Sequence, residues 1–104
     1  MAAETQAGGA HPEGAPRSIQ QILGQVVVVD TDSSFIYMGR LEQADEQYLC
    51  LSEVDVHEMD GDAVSKERYI HETRRIGVRS NRKLTWVRQA RVVSIARLED
   101  VMAF

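Results

Sequence analysis

Four consecutive valines at positions 26–29 constrain this chain more than any other stretch of it. β-Branched side chains favour an extended backbone, and an unbroken apolar run, unlike an alternating one, predicts a strand over residues 25–30 that is buried on both faces. Residues 31–33 (Thr-Asp-Ser) then supply a turn.

The stretches that follow continue the sheet. Residues 34–44 alternate, with Phe35, Tyr37, Gly39 and Leu41 on one face and Ile36 and Met38 on the other. Gly39 in the middle of that strand predicts a sharp bend. A tight polar turn at 45–47 leads into a third strand, 48–56, carrying Leu49, Leu51, Val54 and Val56, which makes a three-stranded meander. Two shorter strands are predicted over 84–87 and 91–97, joined by a turn through Gln89 and Ala90, and an apolar edge of Val101, Met102 and Phe104 closes the chain.

Helical signals sit at two places. Ser18 can cap a short amphipathic helix over 17–23, with Ile19, Ile22 and Leu23 at helical spacing and Gly24 ending it. Between an acidic loop at 57–62 and Gly77, residues 64–76 are good helix formers, although Tyr69, Ile70 and Thr73 also suit a strand. Residues 1–16 are rich in Ala and Gly and contain only Met1 as a large apolar side chain, too little to offset ordering entropy, so a disordered tail is expected there.

With 104 residues, 43% of them hydrophobic, the chain has material for one core and one domain, placed at 17–104. The N-terminus lacks a secretory pattern, and no apolar stretch approaches the roughly 20 residues a membrane span needs, so a soluble protein away from membranes is expected. The lone Cys50, between Leu49 and Leu51, reads as a small core residue in a reducing, cytoplasmic setting. The formal charge of −4 conceals a polarity: residues 1–62 carry 2 basic and 12 acidic side chains, residues 63–104 carry 10 and 4. Charge asymmetry of this kind points to an anionic partner or to self-association.

The bent second strand, the five strands and two short motifs resemble the Sm-like family. That family's first motif runs roughly Gly-x-Leu-x-x-x-Asp, then Asn, then Leu three residues later; here Gly39, Leu41 and Asp45 are followed by Tyr48, in place of Asn, and Leu51. Its second motif, roughly Ile-Arg-Gly-x-x-Val-x-x-Ile, is matched in spacing by Val87, Arg88, Gln89, Val92 and Ile95, with Gln89 replacing Gly. The resemblance implies a mainly β fold: a five-stranded, strongly bent, SH3-like barrel with a short N-terminal helix, interrupted by a helical insertion at about 58–83. It implies single-stranded RNA, uridine-rich or adenine-rich, as a partner, assembly into a homo-oligomeric ring, and a base pocket of Asp45, Tyr48, Arg88 and Gln89.

A tyrosine face stacks on bases, and Arg and Gln hydrogen-bond their exposed edges. The alternative is structural: Tyr48 half-buried, Asp45 capping its own turn, Arg88 solvated. A run without acidic residues holds Arg74, Arg75, Arg79, Arg82, Lys83, Arg88 and Arg91, with Asn81 and Trp86 interleaved. It fits phosphate contacts, a solvated face, or docking on the acidic region 42–62 of a neighbouring subunit. Asp55, His57, Glu58, Asp60 and Asp62 are candidate metal ligands, and Glu58, Asp60, Gly61 and Glu67 fall at spacings like part of a calcium loop, but Val56 stands at the first ligand position and no helix precedes it, so no metal and no cofactor are expected. No nucleophile beside a base and no carboxylate pair has catalytic spacing, which favours a binding module over an enzyme; a scaffold or protein-binding barrel is the other reading.

Overall fold

In a computed structural model, which describes residues 14–59 and 63–102, the valine run becomes the centre of an antiparallel sheet. The strands are β1 (Val26–Thr31), β2 (Phe35–Ala44), β3 (Tyr48–Glu58), β4 (Arg82–Arg88) and β5 (Val92–Arg97), and a helix, α1 (Ala63–Ile76), lies between β3 and β4. Their spatial order is β4-β3-β2-β1-β5, so β4 and β5 are the two edges. Alternation along β1 sends Val27 and Val29 to an inner core with Leu41, Leu49, Leu51, Val54, Val87 and Ile22. Val28 faces the opposite side and joins Ile36 and Met38, against which Tyr69 and Ile70 of α1 and Val78, Leu98 and Val101 pack. A strand with cover on both faces therefore requires two cores, and the insertion supplies part of the second.

Bending is concentrated where β2 crosses β3. Their register slips between Met38 and Arg40 and again between Leu41 and Gln43. A Cβ added at Gly39 would lie 2.9 Å from the Ser52 carbonyl oxygen and 3.1 Å from the Val54 Cα, so only glycine allows this approach. Opposite it, Glu53 takes up the curvature with a positive φ of 48°.

The segment at 17–23 is not an α-helix. It is one 3-10 turn, Ile19–Ile22, and Ser18 lies in extended conformation without a side-chain cap bond. Residues three apart eclipse in a 3-10 turn, so Ile19 and Ile22 both reach the inner core, while Leu23, the third residue of the expected apolar stripe, stays 39% exposed. The turn at Gln89 and Ala90 is likewise a 3-10 turn, Gln89–Arg91. Between helix and strand, residues 63–76 adopt helix, ended by Gly77 at φ 95°, whose N–H donates to the Thr73 carbonyl at 2.7 Å. Most of the tail (1–13), the loop residues 60–62 and Phe104 lie outside the described residues.

α1 is tied to the sheet by specific polar contacts. The Lys66 ammonium donates to Asp30 Oδ1 (2.6 Å) and to the carbonyls of Ser33 (2.7 Å) and Thr31 (3.2 Å). The Tyr69 hydroxyl donates to Asp55 Oδ2, and the His57 ring stacks on the Tyr69 ring with centroids 4.2 Å apart. Asn81 then mimics a strand residue, exchanging two 3.0 Å bonds with the backbone of Val56 and so leading the chain into β4.

Candidate functional site

Two turns meet at one end of the sheet. In the β2–β3 turn, Asp45 Oδ1 accepts from the backbone N–H groups of Gln47 (2.8 Å) and Tyr48 (2.7 Å), an Asx turn that closes the hairpin. Those two donors hold the Asp45 carboxyl below the usual carboxylate range. The β4–β5 turn docks on this hairpin through Gln89, whose N–H donates to the Gln47 carbonyl at 2.8 Å and whose side-chain amide donates to the Asp45 carbonyl at 3.2 Å. Tyr48 is the register partner of Arg88, and the Arg88 guanidinium carbon lies 5.7 Å from the Tyr48 ring centroid, a cation–π pair.

Asp45, Tyr48, Arg88 and Gln89 thus converge, although they come from two segments about forty residues apart. Tyr48 and Arg88, with Glu46, Gln47 and Ala90, line a shallow pocket of about 240 Å³, while Asp45 and Gln89 join the two turns and do not line it. Such a pocket is smaller than a usual small-molecule cavity and suits one planar ring presented at its mouth. Sequence reasoning omitted Glu46 and Gln47, although their place between Asp45 and Tyr48 in one tight turn was the available signal. Asp45 does what the structural alternative expected of it, its Oδ1 accepting both bonds of its own turn.

The basic run does not gather at this pocket. Arg82 pairs with Val54 and Arg88 with Tyr48, six residues apart on β4, which is about 20 Å of strand. Arg82 and Lys83 therefore stand at the far end of β4, and Arg74 and Arg75 in the last turn of α1. Arg75 is paired with Glu72 (2.9 Å), and Arg91, near the pocket, with Asp32 (2.7 Å). Arg79 acts on Tyr69 only through space, favouring its ionised form, but burial and the Asp55 bond outweigh it and push the tyrosine up to about 12. Of the acidic-loop residues, Asp55 is 2% exposed and bonded to Tyr69, so its carboxylate serves α1 rather than a metal. Cys50 is buried, which pushes its thiol up, with Glu42 adding to the effect; it behaves as the small core residue expected.

No family profile matches the chain, and no curated protein matches it. Solved structures do. An Sm protein of Pyrococcus abyssii in complex with a uridine heptamer superposes with a TM-score of 0.53 at 20% identity, covering 76% of this chain and 90% of that one. A chain of the NatC complex bound to CoA superposes with a TM-score of 0.54 at 19% identity, covering 84% and 92%. The fold is therefore a divergent Sm-like one, mainly β, with α1 inserted before β4.

Proposed function

We propose that this chain is a non-enzymatic Sm-like module that binds single-stranded RNA at the paired turns and assembles into a homo-oligomeric ring. The observation that carries the reading is the Arg88 guanidinium over the Tyr48 ring, held between two turns that are hydrogen-bonded to each other. A base enters by stacking on Tyr48, Arg88 and Gln89 address its polar edge, and the cation serves the adjacent phosphate. The similar Pyrococcus abyssii Sm protein is one bound to a uridine heptamer, which supports single-stranded RNA as the ligand class.

Ring formation rests on the sheet edges. Among the described residues β4 and β5 are both unpaired on one side, and β5 exposes Val93. Pairing β4 of one subunit with β5 of the next removes both edges and repeats until the circle closes. A reducing cytoplasmic location suits the unpaired Cys50.

Filter binding with uridine-rich and adenine-rich oligonucleotides at two salt concentrations tests the RNA reading. Binding is expected to weaken with salt, with Tyr48→Ala and Arg88→Ala each weakening it by about 5- to 150-fold. Salt-insensitive binding, or variants equal to the parent chain, would refute it. A second reading, a protein-interaction barrel, draws support from the NatC complex, in which a similar chain sits inside a protein assembly. Absence of RNA binding together with a stable oligomer would favour it.

A further inference from the structure

We infer that the outer face of β3 and β4 carries a second stacking platform for single-stranded nucleic acid, built on Trp86 and continuous with the Tyr48–Arg88 pair. This rests on the RNA reading of the turn site and extends it along the sheet.

The register fixes the geometry. Tyr48 is opposite Arg88, Cys50 opposite Trp86 and Ser52 opposite Leu84, whereas beyond the positive φ of Glu53 Arg82 lies opposite Val54, which is buried in the inner core. The intervening pairs, Leu49 with Val87 and Leu51 with Thr85, belong to the inner side, where Leu49, Leu51 and Val87 are buried in the core. Side chains alternate along a strand, so Arg88, Trp86 and Leu84 project together on the outer face. Tyr48 and Trp86 are diagonal cross-strand neighbours there, on the order of 7–8 Å apart at the backbone. Cys50, beneath Trp86, is buried, but the indole remains 58% exposed and Leu84 46% exposed.

An exposed tryptophan beside an exposed leucine is costly in water unless something covers it. Charge decides what. On β4, Arg88 shares the outer face with Trp86 and is exposed, and that strand carries no acid. On β2, Glu42 accepts a hydrogen bond from the Ser52 hydroxyl, and Glu46 lines the turn pocket. An anionic strand therefore runs along the β4 side, away from Glu42, with one base on Tyr48, the next on Trp86, and its phosphates towards Arg88. Base–aromatic stacking with flanking cations is how single strands are held with little sequence demand.

Trp86 is the only tryptophan in the chain, so its emission reports on this face alone. The full chain is titrated with a uridine trimer and a uridine heptamer, following Trp86 emission and, separately, the anisotropy of labelled oligonucleotide. The platform requires heptamer binding to quench Trp86. It also requires Trp86→Ala to weaken heptamer binding by about 5- to 150-fold with little effect on the trimer, and Trp86→Phe to recover part of the loss. Should Trp86→Ala fail to fold, quenching in the parent chain and the affinity of Trp86→Phe decide. Heptamer binding with unchanged emission and an unaffected Trp86→Phe would overturn the platform and leave the turn site standing. No heptamer binding at all would overturn the RNA reading and the platform with it, assigning this face to a protein partner.

Discussion

Tyr69 shows how a single side chain joins the insertion to the sheet. Its hydroxyl donates to Asp55, which is 2% exposed, and burial together with that bond raises the phenol to about 12. Replacing it with Phe leaves a buried carboxylate without its donor, an expected cost of about 1–3 kcal/mol at neutral pH, read by chemical denaturation. The pH dependence has a definite sign. The unfolded phenol releases its proton near its ordinary value of 10.0 and the folded one near 12, so the folded state holds more protons in between. This stabilisation is complete below about pH 10 and declines as pH rises towards 12. The stability gap between the parent chain and Tyr69→Phe therefore narrows as pH rises from about 10 to about 12; a constant gap would contradict the assignment. None of this was legible in the sequence, because residues 55 and 69 meet only if 63–76 is helical and docks on the outer face, and Tyr69 favours helix and strand alike. Tyr48 and Arg88 were legible, because each belongs to a motif whose glycine, leucine and valine positions fix its place in the sheet.

At the scale of elements, the strands were readable because β-branched runs and alternation dominate them; β1 and β2 fall within one residue of their expected bounds. The first helix was misread because a capping serine and three apolar residues satisfy an α-turn and a 3-10 turn equally. The core takes Ile19 and Ile22 at a spacing of three and leaves Leu23 outside. What the sequence did not disclose about α1 is the partner of its lysine. Lys66, with a side chain only 13% exposed, reaches three oxygens of the β1–β2 hairpin. Lys66→Ala is expected to cost about 1–3 kcal/mol, since bonds to a charged group are lost and the Asp30 carboxylate loses its cation. Hydrogen exchange should show the loss as faster exchange in α1 and in residues 30–34, with the inner core strands protected as before. Uniformly faster exchange would mean that Lys66 acts on the whole fold rather than as a clasp.

For the whole molecule, the decisive feature is a five-stranded sheet whose two edge strands are left open in a single chain. Aggregation through such edges is avoided by covering or pairing them, and the exposed Val93 of β5 favours pairing. Light scattering at micromolar concentration should therefore give a mass that is an integral multiple, three or more, of the 11.7 kDa chain. A monomer would remove the ring while leaving the turn site intact. The charge division between the two halves of the chain, visible from the sequence, is consistent with such head-to-tail contact, but the structure distributes the cations along β4 and α1 and pairs two of them internally. Charge clustered in sequence is spread in space because a strand advances about 3.3 Å per residue while a pocket collects side chains from separate turns.

The most direct test of the account is amide chemical-shift mapping of the chain titrated with a uridine heptamer. The account predicts that the largest shifts fall on Gln47, Tyr48, Arg88 and Gln89, the residues of the two joined turns. Shifts centred on α1 and the 30–34 hairpin instead, or none at saturating heptamer, would contradict it.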